Sequence, residues 1–433
     1  MTLSKKPYKG CRDFFPLEMR EREYLFEAMK KAALSYAYEP FDGPMLEEVA
    51  LYKAKSGEEL INDQIYDFVD RGERHVAIRP EMTPTVARMV AQIHKQTPKP
   101  IRWYSIPNLM RYEKPQRGRL REHWQFNVDV FGAPDGLGEI EVLSVMSHLL
   151  EGLGATEEMF GILLNDRQIV DFVFEKALKV DESAAHKLYK IIDRSKKVDQ
   201  AALEKMTSEV LSGDAYEAFF KYLSLKTFDD VYEYLQSFGF EKIEELKQFV
   251  SRLKNSHAGK YVQYDPAIVR GLDYYTGVVF EVFDKHPDNR RAIAGGGAYA
   301  NLLQIFNESP LPGVGFGMGD VTLKDFLVTH GLMPDLSKPE HDIFVAYMDE
   351  DSEAFAMEAS TVLRSMGLTV DTNLGPIKPK KAFKAAEAKG AKFVTVIGAD
   401  EAQGKKLALK NQKTREEKTF SLSETKQLKE FTK

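Results

Sequence analysis

Apolar and polar positions along the chain change period several times. From Leu17 to Tyr38 the residues Leu17, Leu25, Met29, Ala32, Ala33 and Tyr36 fall near one face of a helix. An extended segment follows and ends at Pro44, and Val76 to Arg79 and Arg102 to Ile106 read as short strands. Gln125 to Phe131 (QFNVDVF) alternates, which puts Gln125, Asn127 and Asp129 on one face of a strand. Glu139 to Leu150 reads as a helix. From Asp166 to about Lys254 the spacing is helical throughout, in runs such as ESAAHKLYKIIDR and IEELKQFVSRLK, and this reads as a helical insertion. Strand character returns at Val262 and is strongest in GVVFEVF, Gly277 to Phe283. A glycine-rich stretch runs from Gly295 to Gly319, and Gly331 to Pro339 reads as a linker. Beyond it, IFVAYM, LTVDT and KFVTVIG alternate as strands with helices at Glu353 to Met366 and Pro379 to Lys389. That alternation predicts a small α/β domain of about 95 residues.

Composition narrows the class. The 433 residues leave room for several domains, and 43% hydrophobic with 29% charged residues is the make-up of a globular protein. The longest apolar runs, such as Phe393 to Ala399, fall far short of the roughly 18 residues of a membrane span, so no membrane is expected as a partner. No apolar stretch follows the basic N-terminus, which argues against a secretory signal. Cys11 is the only cysteine. It excludes an internal disulfide and a cysteine-rich zinc site, and a reducing, cytoplasmic compartment is the expectation. The net charge of −6 does not mark a nucleic-acid binder. Its distribution says more: Lys378 to Lys433 carries 15 basic and 7 acidic residues, and Arg111 to Arg121 carries five basic residues and one acid. Such patches suit phosphate contacts, and each alone suits a solvated surface equally well.

Several chemistries have no support. There is no GxxxxGK[ST], no GxGxxG at a strand–helix turn, no GxSxG and no HExxH, and the nine histidines show no paired ligand spacing. What remains is a set of polar segments. In RYEKPQRGRLR a basic loop joins two strands, with Arg111 at the end of the first and Gln125 and Asp129 on one face of the second. An arginine fixed there grips a phosphate with a forked pair of bonds, although an exposed charged hairpin accounts for the segment as well. In Arg79-Pro-Glu-Met-Thr83, Thr83 reads as the cap of the helix that follows, with Glu81 beside it able to bind an amine. Ile268 to Gly277 sets Arg270, Asp273, Tyr274 and Tyr275 before a buried strand, and a buried arginine needs an anionic partner. The glycines of AGGGAYA and GVGFGMG allow close backbone approach, and each is a weak signal alone.

Together these segments, in order and over nearly the whole chain, resemble the histidyl-tRNA synthetases, class II aminoacyl-tRNA synthetases. RYEKPQRGRLREHWQF resembles class II motif 2, and RGLDYYTGVVFE, the most specific match, the histidine signature of the family. RPEMT resembles the family's RPEGT. The first helix and strand look like motif 1, which forms the dimer interface, and the last domain is similar to the family's anticodon-binding domain. The resemblance implies an α+β fold. A catalytic domain over 1–330, an antiparallel sheet flanked by helices, would carry a helical insertion at 166–258 and be followed by an α/β anticodon-binding domain at 338–433. It implies ATP-dependent activation of L-histidine and transfer to the 3′ end of histidine tRNA, with Mg²⁺ accompanying ATP, in a cytoplasmic homodimer.

Residue by residue, the resemblance gives Glu81, Thr83 and Gln125 the amino group of histidine, with Met82 beside them. It gives Asp129, Tyr275 and the nearby Tyr274 the imidazole. Arg270 would meet the substrate carboxylate and the α-phosphate, and Arg111 the α-phosphate, as the two catalytic groups. Glu113, Arg119 and His123 would border ATP. Lys114, Gln116 and Arg117 would approach the acceptor end of tRNA. The chemistry agrees. A carboxylate attacking the α-phosphorus brings two anions together, and fixed cations offset that repulsion.

Four further positions depart from the family pattern. Asp129 stands where glutamate is usual, and keeps the charge on a side chain one methylene shorter. Thr322 stands where motif 3 ends in an arginine that touches ATP. Ala298 and Ala300 replace the arginine and aspartate of GGRYDGL. The rival reading is a non-catalytic regulator that binds histidine or tRNA on the same fold.

Overall fold

The structure is a computed structural model, and it describes residues 3–54, 60–269, 274–339 and 341–432. Arg270 and Asp273 lie outside the described residues. Contacts divide the chain into one unit of residues 1–15 and 21–333 and a second of 16–20 and 334–433.

The first unit is built on a nine-stranded sheet and a three-stranded one. In chain order the strands are β1 (Glu39–Pro40), β2 (Leu46–Glu48), β3 (Tyr66–Val69), β4 (His75–Ile78), β5 (Ile101–Ser105), β6 (Asn108–Met110), β7 (Glu122–Phe131), β8 (Phe160–Asp166), β9 (Val262–Tyr264), β10 (Val278–Asp284), β11 (Ala292–Ala298) and β12 (Gly313–Gly319). The large sheet runs β1-β5-β7-β12-β11-β10-β8-β9, with β6 paired to β7. Its interior pairings are antiparallel, and only β1 on β5 and β9 on β8 are parallel. The small sheet is β2-β4-β3.

Alternation on β7 decides the two faces of the large sheet. Phe126, Val128 and Val130 are buried in the main core with Val314, Phe316 and Met318 of β12. The helices Pro16–Ser35, Leu137–Gly152 and Asp320–Thr329 pack into that same core. Between β8 and β9 the chain is helical from Arg167–Phe172 to Ile243–Lys254. The first helix ends at Ser35, three residues before the spacing predicts, because Ala37 takes a left-handed φ of 59°. Leu25, Met29, Ala32 and Ala33 are its buried face, whereas Leu17, expected on that face, is exposed.

The second unit has β13 (His341–Tyr347), β14 (Val370–Thr372), β15 (Ala391–Ile397), β16 (Lys406–Asn411) and β17 (Glu417–Ser421) in the order β14-β13-β15-β16-β17. The first three are parallel to one another, and β16 and β17 add an antiparallel hairpin. Ile343, Val345 and Tyr347 face one core with Phe355 and Leu363 of the helix Glu353–Ser365. Phe344 and Ala346 face another with Ala382 and Ala386 of the helix Pro379–Ala388. Burial on both faces is why these strands read as unbroken apolar runs. Among the described residues, no helix is long and apolar enough to cross a membrane.

Candidate active site

The opposite face of the large sheet from Phe126 and Val128 carries a polar line over a floor without side chains. Antiparallel register sets Gln125 opposite Gly319, Asn127 opposite Gly317 and Asp129 opposite Gly315. It also sets Gly315 opposite Gly297 and Gly317 opposite Gly295. Directly paired residues share a face, so five glycines face the same side as the three polar residues. The bare floor is a packing requirement. A Cβ on Gly317 would lie 2.6 Å from Cδ of Gln125, and one on Gly297 would lie 2.7 Å from the ring of Tyr275. The two weak glycine signals of the sequence are thus one feature.

Asp129 is buried, and the hydroxyl of Tyr299 donates a short hydrogen bond to it. Burial pushes the carboxyl of Asp129 up to about 7, and the Tyr299 bond works against that rise. The Tyr299 hydroxyl is itself held well above its ordinary range by burial and by the charge of Asp129. Tyr299 packs edge-on to Tyr274 at 5.9 Å, and Tyr274 lies 4.8 Å from Tyr275. The Tyr274 hydroxyl donates to Oε2 of the buried Glu81 at 3.0 Å. Glu81 and Asp129 are therefore the two acidic ends of a line of tyrosines. Main-chain bonds hold that line in place: Thr276 N donates to Ala298 O at 2.8 Å and Tyr299 N to Gly313 O at 2.7 Å.

The raised carboxyl predicts a pH effect on stability. Between about pH 4 and 7 the unfolded chain loses the Asp129 proton while the folded chain keeps it, so stability falls as pH rises. The shift from 3.8 to about 7 sets an upper bound of about 4 kcal/mol on that loss, which levels off above the folded value. Urea unfolding at pH 5 and pH 8 should show a smaller loss for Asp129→Asn than for the parent. Equal losses would refute the assignment.

The RPEMT segment is anchored by its arginine. Arg79 is buried and donates to Asp42 at 2.7 Å, to Gly43 O at 2.7 Å and to Asn108 O at 3.0 Å. Thr83 is not the cap that the sequence suggests. It is the first residue of the helix Thr83–Ile93, Met82 is the capping residue, and no side chain caps it. Met82 is fully buried. Arg111 follows β6 directly, and its Nε donates to Pro80 O at 2.8 Å, which ties the basic loop to the segment that carries Glu81.

The loop from Arg111 to Arg121 is itself ordered. Arg119 pairs with the buried Glu113 through two short contacts, and Arg121 stacks on Tyr112 at 4.0 Å. Lys114, Gln116 and Arg117 are exposed on its outer part, and Arg117 reaches the Thr329 hydroxyl at 3.2 Å. His123, on the same face of β7 as Gln125, is pushed down to about 3 by burial and by the charges of Arg111 and Arg12. Its ring is neutral at ordinary pH.

The departures other than Asp129 fall in two places. Thr322 lies beside the loop, with its hydroxyl against Ile293 O at 3.1 Å and Gly319 O at 3.2 Å. Ala298 and Ala300 line a separate cavity of about 650 Å³ with Glu139, Asp166 and residues of the helical segment around Phe249. Val130 and Val314 also line it, so it opens on the other side of the sheet from Asp129. Burial raises Asp166 there to about 6 and Glu139 also upward. The structure thus brings Glu81, Tyr274, Tyr299 and Asp129 together in one line, with Gln125 and His123 on the same strand face as Asp129. Tyr299 has no part in the sequence reading. Its only signal is its place after the glycine run.

Residues 10–321 match the family model for histidyl-tRNA synthetase, and residues 342–428 match that for an anticodon binding domain. The chain belongs to the histidyl-tRNA synthetase family. A histidine–tRNA ligase of Leptospira biflexa is 40% identical over 422 residues, covering 98% of this chain and 96% of its own length. The chloroplastic/mitochondrial histidine–tRNA ligase of Arabidopsis thaliana is 37% identical, covering 93% and 82%. The crystal structure of histidyl-tRNA synthetase from Nostoc sp. PCC 7120 superposes with a TM-score of 0.81 over 99% of this chain and 100% of that one, at 23% identity. The fold is that of a class II synthetase, an antiparallel sheet flanked by helices, joined to an α/β anticodon-binding domain.

Proposed function

We propose that the chain activates L-histidine with ATP to histidyl-adenylate and transfers it to the 3′ end of histidine tRNA, releasing AMP and pyrophosphate. The observation that carries this reading is the line Glu81–Tyr274–Tyr299–Asp129 over a glycine floor, in a chain of this family. One end is an acid suited to an ammonium, and the other a buried acid suited to a ring N–H. A substrate lacking either group leaves a buried polar partner unmet, which is how such sites reject competitors. The regulator reading has no comparable support, because both the synthetase and the anticodon-binding models match.

In this proposal Glu81, Thr83 and Gln125 hold the amino group beside Met82, and Asp129, Tyr274 and Tyr275 meet the imidazole. Arg111 and Arg270 are the catalytic cations at the α-phosphate, and Glu113, Arg119 and His123 border ATP. A neutral His123 adds no charge beside the nucleotide base. Lys114, Gln116 and Arg117 meet the acceptor end of tRNA. Among the described residues there is no group of three or more acidic, histidine or cysteine ligands for a metal. In this proposal Mg²⁺ accompanies ATP, held by the phosphates and water with at most one or two carboxylates.

The functional domains we assign are 1–330 for catalysis, 166–258 as an insertion over the acceptor arm, and 338–433 for the anticodon, in a cytoplasmic homodimer. Met45, Leu46, Phe68 and Val69, in or beside the small sheet, are large apolar side chains left exposed, which favours a second copy there. In the second unit Lys380, Lys381 and Lys384 stand exposed on the helix Pro379–Ala388. Replacing the three with alanine should flatten the plot of log K against log salt for tRNA binding by about 2 to 3, roughly one per phosphate contact. An unchanged slope would exclude this helix from the tRNA surface.

The reading is tested by ATP–pyrophosphate exchange with each of the twenty amino acids. Exchange with histidine alone is expected. Exchange with none, by folded protein that still binds histidine, would leave the regulator.

A further inference from the structure

Thr322 leaves the phosphate end of the cleft without the cation that the resemblance places there, and a different residue stands beside it. Arg291 precedes β11, which runs antiparallel to β12 with Ala294 opposite Met318. That register carries Arg291 to the end of β12 where the helix Asp320–Thr329 begins. Gly118, at the turn of the basic loop, faces both residues. A Cβ on it would lie 3.4 Å from Cγ2 of Thr322 and 3.6 Å from both Cβ and Cδ of Arg291. The turn is closed by paired main-chain bonds of 2.9 Å between Gln116 and Arg119.

The charges there do not balance. Glu113 is the carboxylate that acts on Arg291, and Arg119 occupies it, while the nearby Asp325 carboxylate is taken up by the Gly118 amide. The Arg291 side chain is exposed at the mouth of the cleft and makes no hydrogen bond or ion pair within the described residues. Desolvation and the neighbouring Arg119 charge lower the pKa of Arg291, and Glu113 offsets this only in part. Two guanidiniums around one engaged carboxylate form a site short of an anion. A phosphate group, with several oxygens and more than one charge, fits that deficit better than a carboxylate does. The Thr322 hydroxyl, already against two carbonyls, has no free proton to offer such a group.

We propose that Arg291 binds the terminal phosphates of ATP, in the place that Thr322 leaves empty. The inference rests on the cleft being the ATP site, and it makes Arg291 a nucleotide-binding residue that no motif of the chain announces. On this assignment Arg291, rather than residue 322, supplies the cation at that end of the cleft.

The test compares nucleotides that differ only in their phosphates, with the full-length chain. Arg291→Gln keeps most of the side-chain volume and removes the charge, and Arg291→Ala removes both. In each variant, binding of a non-hydrolysable ATP analogue should weaken by about 10- to 100-fold, the scale of a hydrogen bond to a charged group. Binding of AMP should be unchanged. Equal losses for the analogue and AMP would mean a structural role and overturn the assignment, and so would unchanged binding of both. The comparison needs no histidine. If the parent binds both nucleotides but exchanges no pyrophosphate with histidine, the activity reading fails while Arg291 is still tested on its own.

Discussion

Asp129→Ala is expected to abolish discrimination for histidine and to cut kcat/KM for histidine-dependent exchange by about 10⁴-fold, the scale on which a buried hydrogen-bonding site rejects a mismatch. Asp129 sits on the glycine-floored face of β7, closed off from water, with the Tyr299 hydroxyl as its donor. If Asp129 meets the imidazole as proposed, its carboxyl, pushed up to about 7 by burial, lies close to the ring's own range near 6.5. Removing the side chain leaves Tyr299 buried without its acceptor and, in the proposed site, the imidazole without its partner. Tyr299→Phe is the diagnostic companion. It removes the bond that pulls Asp129 down, so the pH profile of histidine activation moves upward while ATP binding stays the same. An alanine variant that still selects histidine would contradict the assignment of Asp129.

Gly317→Ala is expected to raise KM for histidine by about 100-fold with little loss of stability. The added methyl would lie 2.6 to 2.9 Å from the amide group of Gln125, and the nearest atoms are the far end of a flexible side chain, not backbone. Gln125 therefore swings away and the sheet survives. Losing a hydrogen bond to a charged ammonium costs about 1.5 to 3 kcal/mol, which spans that fold-change. Gly315 would not give so clean a result, because a Cβ there also meets the main-chain oxygen of Val128 at 2.6 Å. Urea unfolding beside the kinetics separates the two effects. A Gly317→Ala protein with normal histidine kinetics would remove Gln125 from the site.

Much of this architecture is readable from local pattern. The alternation of QFNVDVF marks both faces of β7, and the unbroken apolar runs of the second unit mark strands buried on both sides. What escapes is whatever depends on register between distant segments. Tyr299 meets Asp129 across 170 residues, and Arg291 comes beside Thr322 only through the pairing of β11 with β12. No spacing rule contains either fact. Local rules also mislead at helix ends. Thr83 has the residue type and the position of a cap, yet the helix begins on it, with the proline after it inside the first turn. The hairpin of β16 and β17 is masked by the lysines and glutamates that cover its exposed edge.

The central claim is that one chain both activates histidine and charges tRNA with it. The direct measurement is transfer of labelled histidine to a histidine-tRNA transcript in the presence of ATP, with a transcript for another amino acid as control. Charging of the histidine transcript alone is expected, released by mild alkali as an ester and lost in Asp129→Ala. Folded protein that binds both histidine and the transcript, yet forms no ester bond, would contradict it.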